Sequence, residues 1–273
     1  MKLPRRDRPA ASPTGEMTLF EHLAELRMRI IRGGLAVLLG TIVVIAFYDQ
    51  VMRWLTRPYV NLCVHRGPEF CGLEPDADPR DVSLVILDPI EGFATRLKVS
   101  FYGGIVLALP VVLWQLWKFI VPALHKHERG YALGFVLSSV ILFAGGGAIA
   151  YLTLEKALEF LISWSGDDVN PTFQVQAYVR LVTLMVAAFG VGFLIPVLLV
   201  FLQLLGVIRA GTLLGAWRYA VVGIVAIAAV ITPSGDPISL AALAVPMTIL
   251  YFVAILVGWL IQRSRSKRAV VDA

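Results

Sequence analysis

Apolar residues are concentrated in six long stretches of this chain, and no Asp, Glu, Lys, Arg or His lies inside any of them. An unpaired charge in the bilayer core is destabilising by about 2.5–3.5 kcal/mol or more, so a membrane-spanning chain keeps its charges between its spans. Because backbone polar groups must be satisfied within hydrocarbon, such stretches form helices. The pattern therefore predicts an all-α polytopic membrane protein. The six predicted transmembrane helices lie at residues 33–48, 99–117, 131–154, 181–202, 219–231 and 240–261.

The predicted spans differ in length. The second, third, fourth and sixth are long enough to cross roughly 30 Å of hydrocarbon, whereas the fifth is short and must recruit its flanks or thin the bilayer. Pro110, Pro196 and Pro246 lie inside the second, fourth and sixth spans. Each removes a helix hydrogen bond and predicts a kink, which either serves function or is simply tolerated in a membrane helix.

Composition agrees with this class, since 58% of the residues are hydrophobic and only 16% are charged. Soluble domains are less apolar and carry more charge. We interpret residues 1–16, which are rich in Pro and Arg, as a disordered cytoplasmic tail. Residues 17–262 form the six-helix transmembrane domain, and residues 263–273 form a basic cytoplasmic tail.

The distribution of basic residues predicts the orientation. With both termini inside, the inner segments contain 16 Lys and Arg against 6 Asp and Glu, and the outer segments contain 8 against 13. An excess of Lys and Arg marks the cytoplasmic side of a membrane protein. We therefore expect both termini in the cytoplasm.

Three outer loops follow from this orientation, at residues 49–93, 155–177 and 232–239. The first holds Cys63 and Cys71, which form a disulfide if the exported loop meets an oxidising compartment. The alternative is two free thiols. In the second loop, residues 155–164 are apolar on one face, which predicts a helix lying along the membrane surface.

An amphipathic helix is predicted to run into the first span from the inner face. Glu21, Glu25 and Arg29 stand four residues apart on its polar side and can pair along the helix. Its apolar residues recur at helical spacing at Leu19, Leu23, Leu26 and Ile30.

The first inner loop follows the second span. Trp114 and Trp117 mark the membrane interface. His125 and His127 do not have the spacing of a helical ligand pair, and no Cys or further His supports them. We expect neither a metal nor a cofactor.

Two motifs at this inner face resemble those of the TatC family, the multi-spanning receptor of the twin-arginine protein translocase. They are Phe-Glu-His-Leu-Ala-Glu-Leu-Arg-Met-Arg at residues 20–29 and Phe-Ile-Val-Pro-Ala-Leu-His-Lys-His-Glu-Arg at residues 119–129. The resemblance extends over nearly the whole chain after Met17. Its further matches are Arg57-Pro58, residues 188–193 before Pro196, and Thr232-Pro233 with Asp236.

The resemblance implies a receptor rather than an enzyme, located in the bacterial cytoplasmic membrane. Members of the family bind signal peptides with two consecutive arginines and export folded cargo, drawing on the proton-motive force. They work with single-span TatA-like and TatB-like partners and with other copies of themselves, and no nucleic acid is implied. The family's recognition acids fall on Glu25 and Glu128. The surrounding patch falls on His22, Leu23, Arg27, Arg29, Phe119, Pro122 and Leu124.

One position departs from the family pattern. Many members carry a Glu in the fourth span just before the proline, where this chain has Leu194, and we expect Leu194 to contact a partner helix by apolar packing. The competing interpretation is an ion-coupled small-solute transporter. Such proteins usually need ionisable or unwound polar elements near the midplane, and the predicted spans contain no ionisable residue. Motifs of membrane-embedded enzymes are also lacking.

Overall fold

The computed structural model describes residues 19–120, 132–166, 171–232 and 235–271, and side chains at 23–119, 133–166, 171–232 and 235–263. These ranges form nine α-helices and no β-strand. The predicted tail at 1–16 lies outside the described residues. The helices are α1 (Leu19–Ala46), α2 (Tyr48–Arg66), α3 (Glu91–Ile120), α4 (Ala132–Trp164), α5 (Val175–Gly192), α6 (Leu194–Leu204), α7 (Ala210–Gly215), α8 (Trp217–Ile231) and α9 (Pro237–Val271).

The predicted all-α, six-span architecture is confirmed. Helices α1, α3, α4 and α9 each contain a stretch long and apolar enough to cross a membrane, and α5 and α6 together form another. The shorter helix α8 completes the six spans. It corresponds to the fifth predicted span, which was expected to be short. The predicted amphipathic entry is also present, because α1 runs without interruption from Leu19 into the first span.

The prolines have different effects in different helices. Helices α3 and α9 continue through Pro110 and Pro246. In the fourth span, Phe193 separates α5 from α6, and Pro196 occupies the first turn of α6. Proline fits there because the first N–H groups of a helix lack intrahelical acceptors in any case.

Glycines allow the central helices α4 and α5 to approach closely. A Cβ added to Gly146 of α4 would lie 2.5 Å from the carbonyl oxygen of Phe189 on α5. A Cβ on Gly190 of α5 would lie equally close to the Phe143 ring of α4. Small residues at such crossings provide the packing contacts that hold membrane helices together.

The first outer loop contains a helix that the sequence reading did not predict. Helix α2 follows α1 after a break at Phe47 and packs against α4 with its buried face, which includes Tyr59 and Leu62. Burial raises the pKa of the Tyr59 hydroxyl to about 12. Cys63, at the end of this face, is bonded to Cys71 in a disulfide, as the sequence reading expects.

The predicted surface helix at residues 155–164 is wrong in its placement. These residues are the last turns of α4, which runs without a break from Ala132 to Trp164. Leu154, Ala157, Leu158 and Ile162 are buried in the same core cluster as residues of α2 rather than facing lipid. No Gly or Pro interrupts this part of the helix, so nothing in the sequence turns it along the membrane surface.

Polar contacts join the outer segments. The Val85 N–H donates to the Phe173 carbonyl, and the Val175 N–H donates to the Val85 carbonyl, both at 3.0 Å. The buried carboxylate of Glu91 accepts hydrogen bonds from the N–H groups of Leu87 and Gln176, both at 2.9 Å. Arg66 pairs with Glu159, and His65 Nδ1 lies 2.7 Å from Glu155 Oε1. The first outer loop is thereby attached to α4 and to the start of α5.

Candidate functional site

The predicted recognition surface lies at the inner end of the contact between α1 and α3. The two helices run antiparallel and nearly touch along their backbones. A Cβ on Gly40 would lie 2.7 Å from the Gly104 carbonyl oxygen, and a Cβ on Gly104 would lie 2.5 Å from the Thr41 nitrogen. Closer to the inner face, Gly33 of α1 lies beside Val112 of α3. The glycines therefore set both the distance and the register of this pair.

Glu25 and Arg29 lie on the same side of α1 as these glycines. Their side chains are 25% and 13% exposed, and an Arg29 guanidinium N–H donates to Glu25 Oε1 in an i, i+4 ion pair. The ion pair is not bidentate, because it contains one hydrogen bond. Glu25 Oε2 and Arg29 Nε are both buried, and neither has a hydrogen-bond partner among the described residues.

A third unpartnered polar atom belongs to α3. The side-chain oxygen of Gln115 is buried and lacks a hydrogen-bond partner in the described part of the chain. Val112, Gln115 and Phe119 are spaced three and four residues apart and thus share one face of α3. Continuing the register of Gly40 opposite Gly104 toward the inner face brings Gln115 level with Arg29, and Phe119 level with Glu25.

Glu25 Oε2, Arg29 Nε and the Gln115 oxygen are therefore buried and without partners in the described part of the chain, at one end of two tightly packed helices; the buried Trp117 Nε1, on the side of α3 that packs on α4, is a fourth such atom. A buried donor or acceptor without a partner is destabilising by about 1–3 kcal/mol, so such a group usually meets a ligand or water. Two acceptors, a carboxylate oxygen and an amide oxygen, suit a ligand that donates several N–H groups. The geometry favours a cationic hydrogen-bond donor.

Aromatic packing holds the inner end of α3 in place. Trp117 is 1% exposed, stacks on Phe135 of α4 with ring centroids 4.6 Å apart, and meets Phe201 of α6 edge-on at 5.2 Å. Lys118 points its ammonium over the Trp114 ring at 5.3 Å. Since α4 and α6 fix this turn, the Gln115 side chain projects from a rigid support.

The predicted site residues divide into three groups. Glu25 and Arg29 are in contact, and Phe119 lies on the facing surface of α3. Leu23 and Arg27 are exposed on other faces of α1. His22 lies in α1, but its side chain, like all of Pro122, Leu124 and Glu128, falls outside what the structure describes.

Gln115 is the residue that sequence reasoning missed. The available signal was an uncharged polar side chain between two tryptophans at the end of an apolar run. Leu194, the predicted partner contact, is the first residue of α6 and is half-buried. In the described ranges, no group of three or more His, Cys, Asp or Glu side chains is arranged to hold a metal ion.

Comparisons with known proteins agree on one family. Residues 21–246 match the model of the Sec-independent protein translocase protein TatC. The TatC of Frankia casuarinae is 37% identical over 92% of this chain and 68% of its own length, and that of Koribacter versatilis is 36% identical over 92% and 89%. A crystal structure described as the twin-arginine translocase receptor TatC is similar with a TM-score of 0.68 and 33% identity, covering 87% of this chain and 99% of the other.

Proposed function

Because this chain belongs to the TatC family, the multi-pass cytoplasmic-membrane component of the Sec-independent protein translocase, we propose that it binds twin-arginine signal peptides. Glu25 and Glu128 accept the two guanidinium groups at the cytoplasmic face. The observation that carries this function is the state of the Glu25 carboxylate. Its Oε1 accepts a hydrogen bond from Arg29, and its Oε2 is buried without a partner among the described residues.

The chemistry of the site supports arginine over lysine. A guanidinium presents a planar fork of N–H donors, which matches two acceptor oxygens at once. The Glu25 and Gln115 oxygens are the acceptors that α1 and α3 provide. An ammonium is a more strongly hydrated point charge, and it gains less from acceptors fixed in this geometry.

The rest of the transport cycle is proposed by analogy with the family. The chain acts with single-span TatA-like and TatB-like subunits and with other copies of itself, and export of folded cargo draws on the proton-motive force. Leu194 contacts a partner helix by apolar packing, because the described part of the fourth span places no acid near it.

Substitution of the two acids tests the receptor function. Glu25→Ala or Glu128→Ala should abolish crosslinking to a twin-arginine peptide and abolish export, while the protein accumulates normally. Glu25→Asp should be milder, since it keeps the carboxylate at shorter reach. Glu21→Ala, one turn earlier on α1, is the matched control and should export normally. Wild-type export by both alanine variants would refute the proposal.

A further inference from the structure

The Glu25 carboxylate already holds a guanidinium from its own chain. Arg29 follows Glu25 by four residues, the favourable direction for an acid–base pair on a helix. The contact is the kind that the proposed ligand would make, namely a guanidinium N–H on a carboxylate oxygen. Arg29 thus occupies part of the site that we propose for the signal peptide.

We infer that Arg29 is a specificity-determining residue that acts as an internal competitor, so that only a ligand guanidinium, and not a general cation, gains from meeting Glu25. This inference rests on the proposed function and adds a role for a residue that the family resemblance leaves undefined.

The first step of the argument is charge. Glu25 and Arg29 form a pair of zero net charge, and Arg27 and Arg32 lie exposed on the same helix. A bare carboxylate attracts any cation over several ångströms, whereas a neutral pair exerts little long-range attraction. With Arg29 in place, the ammonium of a lysine therefore gains little from approaching Glu25.

The second step is hydrogen bonding. Glu25 Oε2 remains open as an acceptor, since it is buried and has no partner in the described ranges. A planar guanidinium can donate to this oxygen and also to a neighbouring acceptor such as the Gln115 side chain. A twin-arginine ligand therefore obtains its binding free energy at this position from directed N–H hydrogen bonds rather than from attraction to a net charge.

The third step concerns what Arg29 does when a ligand binds. Its Nε is a buried donor without a partner among the described residues, and the register places Gln115 at the same level of α3. An amide oxygen has two lone pairs, so the Gln115 oxygen can accept from an Arg29 guanidinium that moves away from Glu25 as well as from the ligand. Arg29 can therefore move aside while its guanidinium keeps a hydrogen-bond acceptor, instead of becoming a buried cation without any partner, which would be strongly unfavourable.

The test compares a twin-arginine peptide with its twin-lysine variant on the full-length receptor in nanodiscs. Arg29→Gln keeps a long polar side chain but removes the charge. In this variant the affinity for the twin-lysine peptide should rise by about two- to tenfold, which is the range for an exposed to partly buried ion pair. The affinity for the twin-arginine peptide should rise by less. The ratio of the two affinities should therefore narrow. Arg29→Lys, which keeps the competing charge, should leave the ratio near that of the wild type.

Arg32→Gln is the matched control, because it removes the same charge from an exposed position three residues further along α1. It should leave the ratio unchanged. The inference is wrong, and Arg29 is not a competitor, if Arg29→Gln weakens the binding of both peptides or leaves the ratio of their affinities unchanged. It is also wrong if Arg29→Gln has the same effect as Arg32→Gln.

Glu25→Gln separates this inference from the receptor function. Loss of twin-arginine binding in Glu25→Gln, together with an unchanged ratio in Arg29→Gln, would refute the competitor alone. Wild-type binding by Glu25→Gln would refute the proposed site itself. Should Arg29→Gln not fold, the unmodified protein supplies the answer. Lowering the salt from about 500 to about 50 mM should change its twin-lysine affinity by less than about twofold, and a gain of about tenfold or more would contradict a neutral pair.

Discussion

Gly104 should be intolerant of even a single added methyl group. In Gly104→Ala, the new Cβ would lie 2.5 Å from the Thr41 nitrogen and 2.8 Å from the Thr41 Cα, where ordinary van der Waals contacts are 3.4–4 Å. These are backbone atoms of a helix and cannot rotate away, so α1 and α3 must separate by roughly 1 Å. Overpacking of this kind is destabilising by about 1–3 kcal/mol.

The separation also reaches the proposed site. Glu25 and Arg29 belong to α1 and Gln115 belongs to α3, so moving the helices apart changes the spacing of the acceptors. We expect Gly104→Ala to lower the midpoint of thermal unfolding and to weaken binding of a twin-arginine peptide. Both effects can be measured on protein in the same detergent, by fluorescence-detected melting and by peptide titration.

Gly34→Ala is the matched control on the same pair of helices. A Cβ on Gly34 has no heavy atom within 4 Å, and the residue is exposed. This variant should be neutral or more stable by up to about 1 kcal/mol, since Ala favours a helix over Gly. If Gly104→Ala melts and binds like Gly34→Ala, the crossing does not position the site and the reasoning fails.

Three further predictions concern the loops, the orientation and the fourth span. A membrane-impermeant alkylating reagent should label Cys63 and Cys71 only after reduction, and replacing both by Ser should lower the free energy of unfolding by about 2–3 kcal/mol; quantitative labelling without reductant would contradict the bridge. Reporter tags on both termini should be cytoplasmic and a tag near Asp76 external, and an external terminus would reverse every inner-face assignment. Leu194→Ala should weaken crosslinking to a single-span partner modestly, and Leu194→Glu should not improve export; a clear gain from Glu would show that the position still favours a carboxylate.

Spans are the part of this fold that sequence reasoning predicts well. In a bilayer each long apolar stretch must be a helix, so the exclusion of charges locates the spans without knowledge of their packing. The prolines were harder to interpret, since each of the three predicts a kink. The fourth span is interrupted at Phe193, because Pro196 permits a new first turn instead of merely bending one helix.

The outer segments were harder to predict because their surroundings come from distant parts of the chain. Residues 155–164 have an apolar face, which suits a membrane surface as well as a protein surface. The packing of α2 against this face distinguishes a protein surface from a membrane surface. Helix α2 was itself difficult to predict, because it contains Pro58 and many polar residues. Likewise, the pairing of Val85 with residues at the end of the second outer loop is a non-local contact without a local pattern.

Glu25 was predicted from its motif, but its environment was not. Helical spacing allowed a pair with Arg29, and the structure shows that this pair forms. The contribution of Gln115 depends on the register between α1 and α3, which follows from where glycines permit the helices to touch. A sequence indicates which residues are small, but it does not reveal which two of them meet.

The predicted inner face has to satisfy two opposed electrostatic requirements. Orientation in the membrane favours basic residues there, and the inner segments carry 16 Lys and Arg against 6 acids. The proposed binding of a dicationic ligand at the same face nevertheless requires attraction for arginine. Long-range charge cannot provide that attraction on a basic surface, so recognition has to depend on short-range, directed hydrogen bonds. The second, buried carboxylate oxygen of the neutral Glu25–Arg29 pair meets this condition, because its attraction is realised only on contact. Selectivity for a planar donor over a point charge then follows from the basic surroundings themselves.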